Sequence, residues 1–366
     1  MSDHPNPDRD PTRSPRPEPS ASELRTASIR TPDDVIRAVP YLLGFRPSES
    51  LVLLALAGPR LVLTVRLDLS AAAGQDPRPL RETLASVARA QADRLLGVVV
   101  TDAPVPNVAP DSGAGAVTGS VSQPRLPYAD MVERLGAVAA GFALELTDAM
   151  LLQTDRWWSY QCDDPACCPP TGRPVDTATT SFETLAVTYG TVPFGSREDL
   201  VRALEPFPTQ LAAEQFHRAA RRLGGRIAAA ARTDAPESWR QPLVEEILNA
   251  ARTPETAFTD ASAARWGVAL QVIAVRDAVW VAVDSGQVPD PQRWRTLGRL
   301  FPAPFCAAPL FLLGWSAWRA GNGALANVCI ERVLEADPVY SAARLLDLAV
   351  RSGMNPATTP RLDLTS

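Results

Sequence analysis

The chain has 366 residues, 46% of them hydrophobic, enough to bury a large core and, by domain-size scaling, to form about two or three domains; disorder throughout is excluded. Thirty-six basic residues against 41 acidic ones leave a net charge of −5, the wrong sign for a protein whose whole surface grips nucleic acid. Every basic residue is Arg, as codon bias in a G+C-rich genome produces, so Schiff-base lysines and a Walker-type lysine are excluded, and with His4 and His217 alone so are imidazole-rich metal sites.

Residues 1–31 are proline-rich and almost without apolar side chains, which predicts a disordered tail. Thr31 suits an N-cap, followed by Pro32 at the first helical position and by Asp33 and Asp34 at the positive helix end. The helix they open points Val35, Ile36, Val39 and Leu42 inward and stops near Gly44. Two aliphatic runs, 51–57 and 61–67, flank Gly58-Pro59 and read as a buried hairpin. An amphipathic helix is predicted over 79–96, a short central strand over 97–101, a flexible loop over 103–127, a helix over 128–143 and a strand over 145–152. The order makes 32–172 an α/β, or α+β, domain with a sheet of about four strands.

From Thr177 onward, within a unit drawn over 173–354, the strand signal largely vanishes, and helices are predicted near 177–189, 196–204, 209–231, 241–251, 261–283, 291–300, 307–320, 322–336 and 339–352. This half reads as an all-helical domain, with residues 355–366 as a disordered C-terminus. Gly314, Gly321, Ala326, Ile330 and Asp337-Pro338 fall at tetratricopeptide-like spacings, against the simpler reading of two packed helices that cap the domain. Five tryptophans of this half, Trp266, Trp280, Trp294, Trp315 and Trp318, are read as core. No secretory signal precedes the fold, and the longest strongly apolar run, 305–318, is shorter than the roughly 18 to 20 residues of a membrane helix. A cytoplasmic protein without a membrane span is expected, in which an odd number of cysteines, five, argues against a disulfide framework.

The most unusual stretch runs from Arg156 and Trp157 through Trp158, Ser159, Tyr160 and Cys162 to Cys167, Cys168, Pro169 and Gly172. Thiolates are soft ligands, so Cys162, Cys167 and Cys168 can hold Zn²⁺ with His217, Cys306, Cys329 or an aspartate as the fourth ligand. Zinc ribbons, however, use two separated C-x₂₋₄-C pairs, and only one such pair is present, with its second member doubled. A reversible disulfide, a nucleophilic thiol activated by Arg156, and small apolar packing under a proline-rich turn stay open. Arg156, Trp157 and Tyr160 can line a pocket for a planar or anionic ligand, although packing is the default for such aromatics.

Gly44 can close the first helix with positive φ and Phe45 can staple it to the sheet, while the turn up to Ser50 can present backbone N–H groups and a hydroxyl to an anion. Arg218, Arg222 and Arg226, joined by Arg221 and Arg232, form a basic stripe that can receive phosphates or carboxylates, although solvated Arg faces are common and nucleic acid is disfavoured. Gly113, Gly115 and Gly119 mimic a dinucleotide fingerprint without the helix it requires.

Two motifs carry a family resemblance. Pro40, Leu42-Leu43-Gly44-Phe45, Pro47 and Ser50-Leu51-Val52, with Arg66-x-Asp68, form the first; Arg156-Trp157-x-Ser159-Tyr160-x-Cys162 with Cys167-Cys168-Pro169 forms the second. Together they resemble the actinobacterial domain-of-unknown-function family forty-one ninety-two, from about Thr31 to the last helix. The resemblance implies a cytoplasmic protein of Gram-positive bacteria and brings no reaction with it. Two functions are expected from the residues themselves. One is a non-enzymatic binding or regulatory protein with a structural or metal-stabilised cysteine loop and a protein partner on its helical half. The other is an enzyme or small-ligand binder with its site between Gly44, Phe45 and Ser50, Asp68, and Arg156, Trp157, Tyr160 and the cysteines.

Overall fold

The computed structural model describes residues 29–105, 125–176, 183–184, 192–233, 237–253, 257–356 and 358–363. Most of the expected tail over 1–31, most of the loop over 103–127 and most of the helix over 177–189 lie outside these residues.

The chain opens on α1 (Pro32–Leu43), closed at its start by a capping box. The Thr31 hydroxyl accepts from Asp34 N–H at 3.1 Å while the Asp34 carboxylate accepts from Thr31 N–H at 3.0 Å. Gly44 ends the helix at φ 79°, the left-handed conformation that glycine adopts without strain. β1 (Ser50–Ala57) and β2 (Arg60–Asp68) form the expected hairpin. α2 (Leu69–Ala73), α3 (Arg78–Arg89), β3 (Arg94–Val100), α4 (Ala129–Ala140) and β4 (Glu145–Gln153) follow.

The sheet has six strands, not about four, in the order β2-β1-β3-β4-β5-β6. The two unforeseen strands are β5 (Arg156–Ser159) and β6 (Arg173–Pro174), both antiparallel to their neighbours, whereas β3 and β4 are parallel. β5 escaped the sequence reading because it is four residues long with two consecutive tryptophans in place of alternation. Its hairpin also turns at Thr154, held at φ 55° without the glycine that advertises such turns.

Both faces of this sheet are covered, which is why β1 is a nearly continuous aliphatic run. Leu51, Leu53, Leu95, Val99, Leu151 and Trp158 face α2, α3 and α4 through Leu69, Leu84, Val87 and Leu135. On the other face Val52, Leu54, Val98, Met150 and Trp157 join α1 and the helical half in a single apolar cluster. Consecutive tryptophans point to opposite sides of a strand, so Trp157 and Trp158 serve the two cores in turn.

Among the described residues the helical half holds α5 (Arg197–Arg202), α6 (Ala213–Ala230), α7 (Arg240–Arg252), α8 (Asp260–Ala269), α9 (Ile273–Asp284), α10 (Gln292–Leu300), α11 (Ala307–Arg319), α12 (Gly323–Ala336) and α13 (Ser341–Arg351). The single helix expected over 261–283 is broken at 270–272 and bends by 99° between α8 and α9. Val272 is extended there, at φ −81° and ψ 116°. The five tryptophans expected in the core are buried. α11 and α12 approach closely where a Cβ on Gly314 would stand 2.8 Å from Cys329 Cβ. No single described helix is long and apolar enough to cross a membrane.

Residues beyond 355 were expected to lack order, yet those described up to 363 lie across α9 and α11. The Arg319 guanidinium donates to the carbonyls of Pro356, Thr359 and Pro360, and Leu362 N–H donates to the buried Asp284 carboxylate at 2.7 Å.

Candidate metal centre

The segment from β5 to β6 leaves the sheet edge after Ser159 and returns to it at Arg173. Its departure is fixed by the Ser159 hydroxyl, which donates to Asp148 Oδ1 at 3.0 Å and accepts from the backbone N–H groups of Gln161 and Cys162. The Asp164 carbonyl then accepts from Cys167 N–H at 3.1 Å and Cys168 N–H at 2.6 Å, curling the chain so that the doubled cysteine faces the first one. On the return, Trp158 Nε1 donates to the Pro170 carbonyl at 3.1 Å. Arg156 donates to the carbonyls of Thr171 and Gly172. Gly172, at φ 74°, lies against the Trp158 indole, where a Cβ would stand 2.4 Å from Cε2.

This bracing brings the Cys162, Cys167 and Cys168 sulfurs together, all within 4.8 Å of one another. Cys168 is buried, Cys162 half-buried and Cys167 exposed, and none of the three is in a disulfide. Their protons are held unequally. A hydrogen bond from Cys168, helped by Asp164 N–H, holds the Cys162 thiol below its ordinary range. Burial, followed by hydrogen bonding to Cys162, pushes Cys168 up to about 12. A divalent cation held by the three sulfurs would take the place of these protons, so its binding would release them.

Among the described residues none of the expected fourth ligands joins the sulfurs. His217 is exposed on α6; Cys306 is buried at the start of α11; Cys329 is buried on α12. Desolvation pushes the thiols of Cys306 and Cys329 up, which suits small apolar packing. His4 lies outside the described residues. The three cysteines form the only group of potential metal-ligating His, Cys, Asp and Glu atoms found among the described residues.

Trp157 and Trp158 are 4% and 5% exposed and belong to the two cores, not to a pocket wall. The Tyr160 hydroxyl donates to the Pro127 carbonyl, and burial raises its pKa.

The first motif lies elsewhere on the sheet. Phe45 is buried in the core, with Arg46 N–H and the Gly44 carbonyl hydrogen-bonded to the backbone of Phe194. Ser50 is fully buried; its hydroxyl donates to the Ser48 carbonyl at 2.6 Å and accepts from Arg66 Nε at 2.8 Å, and Arg66 pairs with Asp68 at 2.6 Å. The hydroxyl expected to greet an anion is thus engaged inside the fold.

The turn nevertheless lines a cleft of about 240 Å³ between Arg46, Pro47, Ser48 and Glu49 on one side and Thr101, Asp102 and Thr154 on the other. This is the end of the sheet where β3 and β4 finish, the location at which parallel strands commonly place ligands. No residue from 156 to 172 lines it, so the turn and the cysteine loop do not share this cleft. Glu49 and Thr154 hold φ values of 40° and 55°, strain that composition does not reveal. The Glu49 carboxylate accepts from the Thr101 hydroxyl and Asp102 N–H.

The basic stripe is exposed on α6, where Arg218, Arg222 and Arg226 line a groove of about 120 Å³ with Arg265 of α8. Arg265 pairs with Glu246.

Residues 32–357 match a family described as "Domain of unknown function (DUF4192)". No curated protein and no solved structure matches the chain.

Proposed function

This chain belongs to the DUF4192 family, and from that premise we propose that it is a binding or regulatory protein whose cysteine loop is stabilised by a zinc ion. The observation that carries the reading is the convergence of three sulfurs within 4.8 Å on a loop tied at both ends to β5. Zinc fits because thiolates are soft ligands and cysteine sulfurs are the usual donors of structural zinc sites. A bound ion replaces the proton competition between Cys162 and Cys168 with direct Zn–S bonds. It thereby fastens the outer edge of the sheet.

The helical half supplies the partner surface in this reading. Its support is the exposed Arg218, Arg222 and Arg226 groove, whose charge suits an acidic protein segment, and the α11–α12 pair as a tetratricopeptide-like element. Unbridged thiols support a reducing, cytoplasmic setting.

Elemental analysis of purified protein tests the metal reading. About one zinc per chain is expected, retained through desalting and lost from the Cys167→Ser, Cys168→Ser double variant. Purified protein that carries no zinc and takes up none when zinc is supplied overturns it.

A second reading, a small-ligand or catalytic site at the Arg46–Glu49 cleft, is favoured by the strained Glu49 and Thr154 that line it. It predicts that a ligand raising Tm in wild type loses its effect in Arg46→Ala while zinc content is unchanged.

A further inference from the structure

We infer that Cys162 and Cys167 are a reversible disulfide pair, closed when the protein meets a hydroperoxide. The pair goes beyond the function proposed above, and only the loss of zinc that accompanies its closure rests on the metal reading. The sulfurs of Cys162, Cys167 and Cys168 lie within 4.8 Å of one another, and none of them is bridged. An S–S bond of about 2.0 Å therefore asks two of these sulfurs, moving toward each other, to travel at most about 1.4 Å apiece.

The backbone at both positions is held in place. Cys162 N–H donates to the Ser159 hydroxyl at 3.2 Å, Cys167 N–H donates to the Asp164 carbonyl at 3.1 Å, and Arg173 Nε donates to the Cys167 carbonyl at 2.5 Å. Two thiols held this close react as one molecule, without a search for each other. Geometry and access then choose the pair. Neighbouring Cα atoms stand about 3.8 Å apart, short of the roughly 4.4–6.8 Å that a disulfide spans, which disfavours a bond between Cys167 and Cys168. Cys167 is exposed, Cys162 half-buried and Cys168 buried. An oxidant from solvent thus meets Cys167 first, and Cys162 is the resolving thiol. Cys306 and Cys329 are buried in the core of the helical half and are spared.

The chemistry takes two steps. The Cys167 thiolate attacks the terminal oxygen of the hydroperoxide; an S–O bond forms, the O–O bond breaks, and the departing alkoxide takes a proton from solvent. The Cys162 thiolate then attacks the oxidised sulfur, forming the S–S bond and expelling hydroxide, which a second proton converts to water. Two thiolates, one hydroperoxide and two protons give one disulfide, one alcohol and one water, the alcohol being a second water when the oxidant is hydrogen peroxide. The sulfurs together lose the two electrons that the O–O bond gains. Because metal ligation needs thiolates, closure leaves Cys168 as the one thiolate of the three, and zinc departs. In a reducing compartment such a bond is transient, and a thiol reductant restores both sulfurs.

The test is titration of the full-length, zinc-supplied protein with hydrogen peroxide, followed by intact mass, peptide mapping and a colorimetric zinc indicator. The denatured chain is expected to lose about 2 Da, the two thiol hydrogens, and to yield a peptide cross-linked between Cys162 and Cys167. Zinc is released in step with the cross-link, the rate does not depend on protein concentration, and dithiothreitol reverses the change. Cys168→Ser keeps the cross-link and Cys167→Ser loses it; the map of the wild-type protein decides the pairing even where a variant fails to fold. Oxygen adducts without a cross-link overturn the inference, as do a bond from Cys168, a bond between chains, or loop thiols that peroxide leaves unchanged. A cross-linked protein that keeps its zinc, or one that forms the bond without ever holding zinc, defeats the metal reading and leaves the disulfide pair standing.

Discussion

Asp284 is 1% exposed at the end of α9, and its carboxylate takes the Trp315 indole N–H at 2.8 Å, Arg319 Nε at 2.5 Å and Leu362 N–H at 2.7 Å. Arg319 in turn lies over the rings of Trp315 and Trp318. Removing one member of a buried, hydrogen-bonded ion pair leaves the other charge stranded, so Asp284→Ala is expected to cost about 3–5 kcal/mol, read from the urea midpoint. Gly172 tests the loop in the same way. Its φ of 74° and the 2.4 Å approach that an added methyl would make to the Trp158 ring predict that Gly172→Ala lowers stability by about 1–3 kcal/mol and weakens zinc retention on desalting. At this scale the sequence disclosed which residues were chemically unusual but not what they touch. The cysteines announce themselves by spacing, whereas Gly172 on Trp158, Ser159 on Asp148 and the strained Glu49 depend on where the chain returns in space.

Among the elements, α1 was the most legible, because capping is a local transaction between Thr31, Pro32, Asp34 and Gly44. Thr31→Ala is expected to destabilise the protein by about 1 kcal/mol. Asp34 adds a pH dependence. Backbone N–H donation from Arg30, then from Thr31, holds its carboxyl below the ordinary 3.8. A depressed carboxyl stabilises the fold in full above its unfolded value and loses that contribution as pH falls through the folded value. The stability difference between wild type and Asp34→Asn should therefore be constant near neutrality and fade once pH falls below 3.8, as acid titrations followed by circular dichroism would show. β5 and the α8–α9 break were illegible for opposite reasons. Four residues carry too little periodicity to declare a strand, and the helical pattern over 261–283 is continuous enough that its bend at Val272 is hidden.

The whole molecule is governed by the sheet's second face. Val52, Leu54, Val98, Met150 and Trp157 share one apolar cluster with the helical half, and the far end of the chain returns to the first half. The Ser86 hydroxyl donates to the Arg351 carbonyl at 2.8 Å, Arg89 Nε donates to the Ser352 carbonyl at 2.9 Å, and a Cβ on Gly353 would meet the Ser86 carbonyl at 2.2 Å. Urea unfolding is accordingly expected to follow one transition, with tryptophan fluorescence, which reports mainly the helical half, coinciding with far-ultraviolet circular dichroism; two separated midpoints would contradict it. The order of elements is written in local patterns of hydrophobicity, while the sharing of a core between distant segments is not.

The short pairing of β5 with the two residues of β6 has a colloidal consequence. Among the described residues no strand lies beside the outer rim of β5 beyond Arg156 and Trp157, and the cysteine loop is what stands there. An unshielded rim invites a neighbouring molecule to add its own strand. Oxidising or chelating conditions that loosen the loop should then reveal themselves first as turbidity and fibril-dye uptake, well before the core gives way.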